Sequence, residues 1–408
     1  MTDCRLNYIE LLQQEVNKNP DRLLDVGKEE DLEEAPPPCR TLPHLCSIPR
    51  RLVISPGLGG MPVTPKLTED LRRILFGGTF HVFNYEWRKS FFQFREPDTE
   101  LSYGLEADRG GARAVQMVIQ ARIIKYLLFV RQSGSDGRVL HSLCEVGQRD
   151  QERALAAALS DSLWLAGQEV SATVTLVTEE YCITPHLDYK LDNFTERFKE
   201  EGSHGVILFL YSLILSRTVD RLKDDLDSTT SHLLYLSLGN FVCRQALLNL
   251  LLTGRASPNV FNGTVYVGED GRPLERPLQG VLTRSDVGYL HWSREEMERG
   301  RLPQHAETPR FPIWLCCINN SYSVAFSVNH SLLSDWKMEH QFQLNYYNGQ
   351  NSQNTMARLT VDTHSHHWEA SSSDSDGDPE KRFPSLEMTI RTKWDGAVID
   401  WNGTVPFY

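Results

Sequence analysis

An α+β fold is what this sequence predicts, and three observations predict it. Apolar residues recur at helical spacing through the first two thirds of the chain, then alternate with period two from Pro312 onward, and no internal repeat interrupts either pattern. Helices first and strands last argue for segregated layers rather than alternating βαβ units. With 408 residues, 40% of them hydrophobic, the chain has ample apolar surface for one large core or two smaller ones.

Taken in order, residues 5–17 carry Leu6, Ile9, Leu12 and Val16 at the spacing of a short amphipathic helix. The acidic, proline-rich stretch 28–43 that follows has too little apolar surface to offset its ordering entropy. Residues 1–50 are therefore expected to be a largely disordered arm and residues 51–408 the folded domain. A helix is expected from Thr68, which can cap it, to Phe76, with Gly77 and Gly78 ending it. Alternating aromatic residues between Phe80 and Phe94 predict strands, with Trp87 at a turn. The clearest helix is 115–130, where Val115, Val118, Ile119, Ile123, Tyr126, Leu127 and Val130 share a face just after Gly110 and Gly111.

Further helices are expected over 151–165, 192–200, 205–225 and 239–252. Residues 313–318 and 322–328 predict a hairpin turned at Asn319 and Asn320. More strands are expected at 342–347, 357–362, 386–392 and 397–401, giving a mostly antiparallel C-terminal sheet. The polar insertion 364–384 is expected to be a mobile loop.

Composition removes several function classes. The net charge of -12 and the absence of a Lys/Arg cluster that would track a phosphate backbone argue against nucleic acid. No apolar signal core is seen in residues 1–20, and the longest apolar run, 206–215, is too short to span a bilayer, so neither secretion nor membrane insertion is expected. The eight cysteines, Cys4, Cys39, Cys46, Cys144, Cys182, Cys243, Cys316 and Cys317, form no C-x-x-C pair, which fits a reducing compartment. A cytoplasmic location is expected, with the nucleus also open to the chain. The glycosylation-type triplets at Asn193 and Asn402 are chance matches on this view.

Generic catalytic signatures are missing: no G-x-S-x-G, Walker A loop, H-E-x-x-H or dinucleotide fingerprint occurs. No cofactor or metal is expected. His364, His366 and His367 admit either metal ligation or a solvated loop, and their flanks supply no fixed geometry. Ser371, Ser372, Ser373 and Ser375 beside Asp374 and Asp376 suit either acidophilic phosphorylation or plain solubility. The informative place is the start of the long helix, YGLEADRGGARAVQMVIQ from Tyr103 to Gln120. A glycine pair opening a buried helix is the setting in which a cysteine hydrolase holds its thiol, because the helix N-terminus depresses the thiol pKa. Here the first turn carries Arg113 and no thiol.

At this point the chain resembles the MINDY deubiquitinases, in the branch of the third and fourth members. The stretches that carry the resemblance are FGGTFHVFNYEW (76–87), the segment 103–120, ASPNVFNG (256–263) and PRFPIW (309–314). SVAFS (323–327), LNYYNG (344–349), RLTVDT (358–363) and IRTKWDGAVIDWNG (390–403) follow in the same order. The family implies a papain-like variant of the cysteine-hydrolase fold, cleavage of lysine-48-linked ubiquitin chains, and ubiquitin or polyubiquitin as partner. In active relatives the segment before the long helix reads approximately QNKGGPCGV, and a strand motif resembling SHFSVLFS supplies a histidine. The resemblance implies that Arg113 stands at the nucleophile position, Ala107 at the oxyanion-stabilising glutamine and Ser321 at the general base.

All three chemical roles are then lost together. An arginine offers no nucleophile. Ala107 has no side-chain donor, a loss worth about 2.7–4 kcal/mol in comparable sites. Ser321 lacks a near-neutral pKa. The expectation is a pseudo-deubiquitinase that keeps the scaffold, with Arg113 meeting an acidic group, blocking the channel or simply facing solvent. Two alternatives stay open. One is a working deubiquitinase with another thiol, Cys144 beside His141 or Cys182 beside His186. The other is a ubiquitin-independent adaptor. Cys316 and Cys317 are expected in the core and His330 at a turn.

Overall fold

The computed structural model describes residues 61–131, 143–177, 182–183, 186–187, 196–227, 230–267, 272–295, 308–364 and 384–406. The expected N-terminal arm with its helix 5–17, the loop 365–383 with its serines, and His141 lie outside these residues.

The first helix, α1 (Pro65–Phe76), is capped four residues earlier than expected. Proline occupies its first turn and the Thr64 hydroxyl accepts from the Leu67 N–H at 3.2 Å, so the cap is Thr64 and not Thr68. Its end is as expected, on Gly77 with φ +75. The aromatic alternation that predicts strands from Phe80 onward is overruled locally. Asn84 caps a single helical turn, Tyr85–Arg88, which carries Trp87, and only Gln93–Phe94 pairs as strand, with Leu105–Glu106.

The long helix is α2 (Arg113–Lys125), continued by a π turn over Tyr126–Val130. It differs from the one-faced helix the periodicity predicts, because every residue from Arg113 to Lys125 is buried. A helix buried on all sides is surrounded rather than docked. Helix α3 (Gln148–Ala166), the later helix Gln245–Thr253 and a six-stranded sheet surround it, and helix α4 (Gly205–Arg217) packs on the outside of α3. The apolar run 206–215 is therefore core, and among the described residues no helix is long and apolar enough to cross a membrane. The helix expected over 205–225 breaks at Thr218, whose φ of +70 no continuous helix admits, and resumes as α5 (Val219–Asp225). The helix expected from Gly239 begins later, as α6 (Gln245–Thr253). A tight hairpin, β1 (Leu234–Ser237) and β2 (Asn240–Cys243), takes the intervening residues. Of the helix expected over 192–200 the turn Glu196–Lys199 is described.

The sheet runs β3 (Gly288–Trp292), β4 (Ile313–Ile318), β5 (Ser321–Phe326), β6 (Gln341–Tyr347), β7 (Ala357–Asp362) and β8 (Val398–Asp400), each neighbour hydrogen-bonded to the next. Only β3–β4 is parallel, as the mostly antiparallel expectation allows. The β4–β5 hairpin turns where expected, with Asn319 at φ +46 and Asn320 at φ +62. That is the left-handed pair a two-residue turn demands, and asparagine tolerates it. One sheet face meets α2. The other is covered by α7 (Ser385–Arg391), expected as a strand, whose Leu386 and Ile390 join Trp314, Leu344, Leu359 and Trp394 in a second core. Burial of both faces explains why β5 is buried from Tyr322 to Phe326 without alternation.

Candidate functional site

The site is built at the N-terminus of α2. Trp87 donates its indole N–H to the Phe241 carbonyl at 2.8 Å, fixing strand β2 against the entry to the helix. That carbonyl sits so close to Gly111 that a Cβ there would lie 1.7 Å from it. Gly110 has φ +147, open only to glycine. The glycine pair is thus required by the backbone here, whatever chemistry follows it. Gly111→Ala is expected to lower the unfolding free energy by at least about 1–3 kcal/mol through overpacking, measured by urea titration. An unchanged midpoint would mean that β2 does not pack as described.

Arg113 opens the helix and is 3% exposed, so the solvent-facing alternative is overturned. Nor does it meet an acidic group; its partners are carbonyls. Nε–H donates to the Tyr322 carbonyl at 2.8 Å, Nη1 to the Ala107 carbonyl at 2.8 Å, and Nη2 to the Asn348 carbonyl. The geometry has a clear cause. Strands β5 and β6 pair only over Val324↔Tyr347 to Phe326↔Asn345, so β5 runs on to Ser321 past the end of its neighbour. The Tyr322 and Asn348 carbonyls at this opening lie outside the paired register, and the planar guanidinium bonds both. Burial holds the Arg113 pKa below its ordinary value, and the Tyr346 and Tyr347 hydroxyls oppose that shift.

A cation at a helix N-terminus opposes the macrodipole, at a cost of roughly 0.3–1 kcal/mol. Three carbonyl acceptors outweigh that. Below Arg113 on the same helix face, Gln116 donates to the Phe91 carbonyl at 2.9 Å and the Glu106 carbonyl at 3.4 Å. Gln120 accepts from the Leu105 N–H at 2.5 Å and donates to the Tyr103 carbonyl at 3.0 Å. Positions 113, 116 and 120 therefore clamp the extended segment Tyr103–Ala107 along α2, and Tyr347 completes the clamp by donating to the Leu105 carbonyl at 2.9 Å. The sequence held a signal for this, three long polar side chains at i, i+3 and i+7 in an otherwise apolar helix, but not the identity of their acceptors.

The structure brings Arg113 and Ala107 into direct contact. Ala107 is buried, with its N–H donating to the Gly349 carbonyl at 2.8 Å. Ser321 is the first residue of β5, exposed and paired with Ile318, one residue from the Tyr322 carbonyl that Arg113 holds. All three positions named from the sequence therefore border one opening between helix and sheet.

With this geometry in view, comparison with known proteins is decisive. Residues 72–199 and 196–403 match the conserved domain of the deubiquitinating enzyme MINDY-3/4. The chain belongs to the MINDY-3/4 family. It is 34% identical over 370 residues to the probable ubiquitin carboxyl-terminal hydrolase MINDY-4 of Homo sapiens, covering 85% of this chain and 46% of that protein. The Mus musculus protein of that name is 35% identical over 367 residues, covering 85% and 47%. The ubiquitin carboxyl-terminal hydrolase MINDY-3 of Danio rerio is 27% identical over 282 residues, covering 58% and 59%. The chain thus spans about half the length of the MINDY-4 relatives it matches. No solved structure matches it significantly.

Within this MINDY-3/4 domain burial works against thiolate formation at Cys144, Cys243 and Cys316. Burial raises the Cys144 pKa, with the Glu100 carboxylate adding to it. Desolvation pushes Cys243 well up and Cys316 to about 12. A nucleophilic cysteine needs the opposite shift. Cys316 and Cys317 are core residues, as expected. The side chains of Cys182 and His186 lie outside the described residues. His330 opens a short 3-10 turn and packs its ring against Phe129 and Phe311, with centroids 5.6 and 5.7 Å away. Phe129 belongs to the π turn at the far end of α2 from Arg113, so His330 is no displaced base. A cavity of about 260 Å³ does adjoin the site, lined in part by Tyr235, Cys243, Arg244, Tyr289, Cys317 and Tyr322. Cys243 links it to the glycine entry by donating its thiol to the Gly111 carbonyl at 3.5 Å.

Proposed function

We propose that this chain is a pseudo-deubiquitinase, a MINDY-3/4 scaffold that engages ubiquitin or lysine-48-linked polyubiquitin without hydrolysing it. One observation carries this reading. The buried Arg113 guanidinium occupies the place that the family resemblance gives to a nucleophilic thiol, and it bonds the Ala107, Tyr322 and Asn348 carbonyls. A side chain so held fills the gap between helix and sheet. It supplies neither a nucleophile nor a path for an extended substrate backbone past the helix N-terminus. The raised pKa of the Cys144 thiol and of the Cys243 thiol beside the glycine entry supports the same conclusion.

The test pairs two measurements on the full chain. An electrophilic ubiquitin probe that captures active-site thiols is expected to leave every cysteine unlabelled. Isotope-labelled ubiquitin and lysine-48-linked diubiquitin are expected to show saturable NMR shifts on one ubiquitin face. Specific labelling of a cysteine, abolished by its mutation to alanine, would establish a working hydrolase instead. Absence of any shift at high concentration would remove ubiquitin as the partner and leave the scaffold as an adaptor.

A further inference from the structure

The histidine tract is a sequence motif that the candidate site leaves unused, and the fold gives part of it a geometry. Strands β6 and β7 pair in a register that sets Gln341 opposite Asp362. His340 precedes the first residue and His364 follows the second by two. One further ladder bond, from the Thr363 N–H to the His340 carbonyl at 3.0 Å, extends the pairing to this flank. The two imidazoles therefore meet, with His340 Nδ1 and His364 Nδ1 3.2 Å apart and the ring centroids separated by 5.1 Å.

Their supports are local and polar. The His364 N–H donates to Asp362 Oδ1 at 2.8 Å, and Thr363 Oγ1 donates to the Glu339 carbonyl at 2.7 Å. The Trp336 ring packs edge-on against His340 at 5.2 Å. His340 is half-buried and His364 exposed, so the pair opens to solvent while its backbone is held by the sheet.

We propose that His340 and His364 form a two-imidazole site for a late first-row divalent metal ion. The argument is geometric. Two imidazole nitrogens bonded at about 2.0–2.1 Å to one ion stand roughly 2.9–3.4 Å apart, for bond angles from square to tetrahedral. The observed 3.2 Å falls within that span with no rearrangement of the backbone. In the metal-free pair one ring's N–H faces the other ring's lone pair; the ion takes the place of that proton, and the donating ring takes up a proton from solvent at Nε2 in exchange, so that both rings bind as neutral imidazoles through Nδ1. Among the described residues no group of three or more His, Cys, Asp and Glu gathers around a point, so water fills the remaining positions and the affinity is modest.

The probe of choice is Ni2+, because imidazole suits it whereas thiolates compete for Zn2+ and the chain carries eight cysteines. Calorimetric titration of the full chain with Ni2+ is expected to show one saturable event. His340→Ala and His364→Ala are each expected to weaken it by at least about tenfold. Both residues lie at the surface, so thermal unfolding of the variants serves as the folding control. Unchanged affinity in His340→Ala would overturn the site, as would the absence of binding. Loss confined to His366→Ala with His367→Ala would place the ion on the tract alone and equally overturn the pair.

Discussion

Arg113→Ala is expected to lower the unfolding free energy by about 3–5 kcal/mol, measured as a shift of the urea midpoint at unchanged slope. Three carbonyls lose their donor at once: Ala107 ahead of the helix, Tyr322 on β5 and Asn348 at the end of β6. Each buried acceptor left unsatisfied costs roughly 1–3 kcal/mol. Two effects offset part of this sum. Water entering the vacated space re-solvates some of the carbonyls, and removing the cation relieves about 0.3–1 kcal/mol of repulsion from the helix dipole. Arg113→Lys is expected to recover only part of the loss, since an ammonium is a point donor where the site presents three acceptors to a planar fork. A midpoint unchanged in Arg113→Ala would mean that the guanidinium lies in solvent, and the blocked opening would go with it.

The same geometry limits what reversion achieves. On the proposed reading, Arg113→Cys alone places a thiol at the helix N-terminus, yet it opens the same three carbonyls and leaves Ala107 and Ser321 unable to fill the oxyanion and base roles. Missing an oxyanion donor costs about 10²–10³ in rate, and missing a positioned base about 10²–10⁴. Ala107 is buried, and Gly349 packs so close that a Cβ there would lie 3.2 Å from the Ala107 Cβ, which leaves little room on that side for a longer side chain. On the pseudo-deubiquitinase reading proposed above, the arginine that stands in place of the thiol is also the side chain that joins helix to sheet.

How much of this was legible in the residues depends on which interaction dominates locally. The Asn319–Asn320 turn, the Gly77 stop and the strands around Tyr347 and Leu359 follow from local chemistry, and the sequence exposes them. Two predicted strands fail for a shared reason, since alternation over a few residues also satisfies a single helical turn. Leu386, Met388 and Ile390 alternate as in a strand, yet Glu387 pairs with Arg391 at 2.8 Å along a helix and accepts from the Trp401 indole at 2.8 Å. Asn84 similarly converts an aromatic run into a capped turn. The positions bordering the site came from family resemblance. What Arg113 does there depends on where β6 ends relative to β5, and no local pattern records a register between distant strands.

Asp225→Ala is the second large effect, again about 3–5 kcal/mol. Arg217 ends α4 and Asp225 ends α5, and the break at Thr218 folds the two helices so that these ends meet. Arg217 Nε and Nη2 donate to the two carboxylate oxygens at 2.8 and 2.7 Å, with both side chains nearly inaccessible at 3% and 2% exposure. The carboxylate also accepts from the Ala256 N–H at 3.0 Å and faces Arg255 Nε at 3.4 Å. Removing it strands a buried guanidinium, and the second arginine adds to the uncompensated charge. Replacing both partners, as Arg217→Met with Asp225→Leu, removes the charges together and is expected to cost far less than Asp225→Ala. That contrast separates a buried pair from a solvated one. If the single and double variants unfold at the same urea concentration, water reaches the pair in solution and the joint between α4 and α5 rests on apolar packing alone.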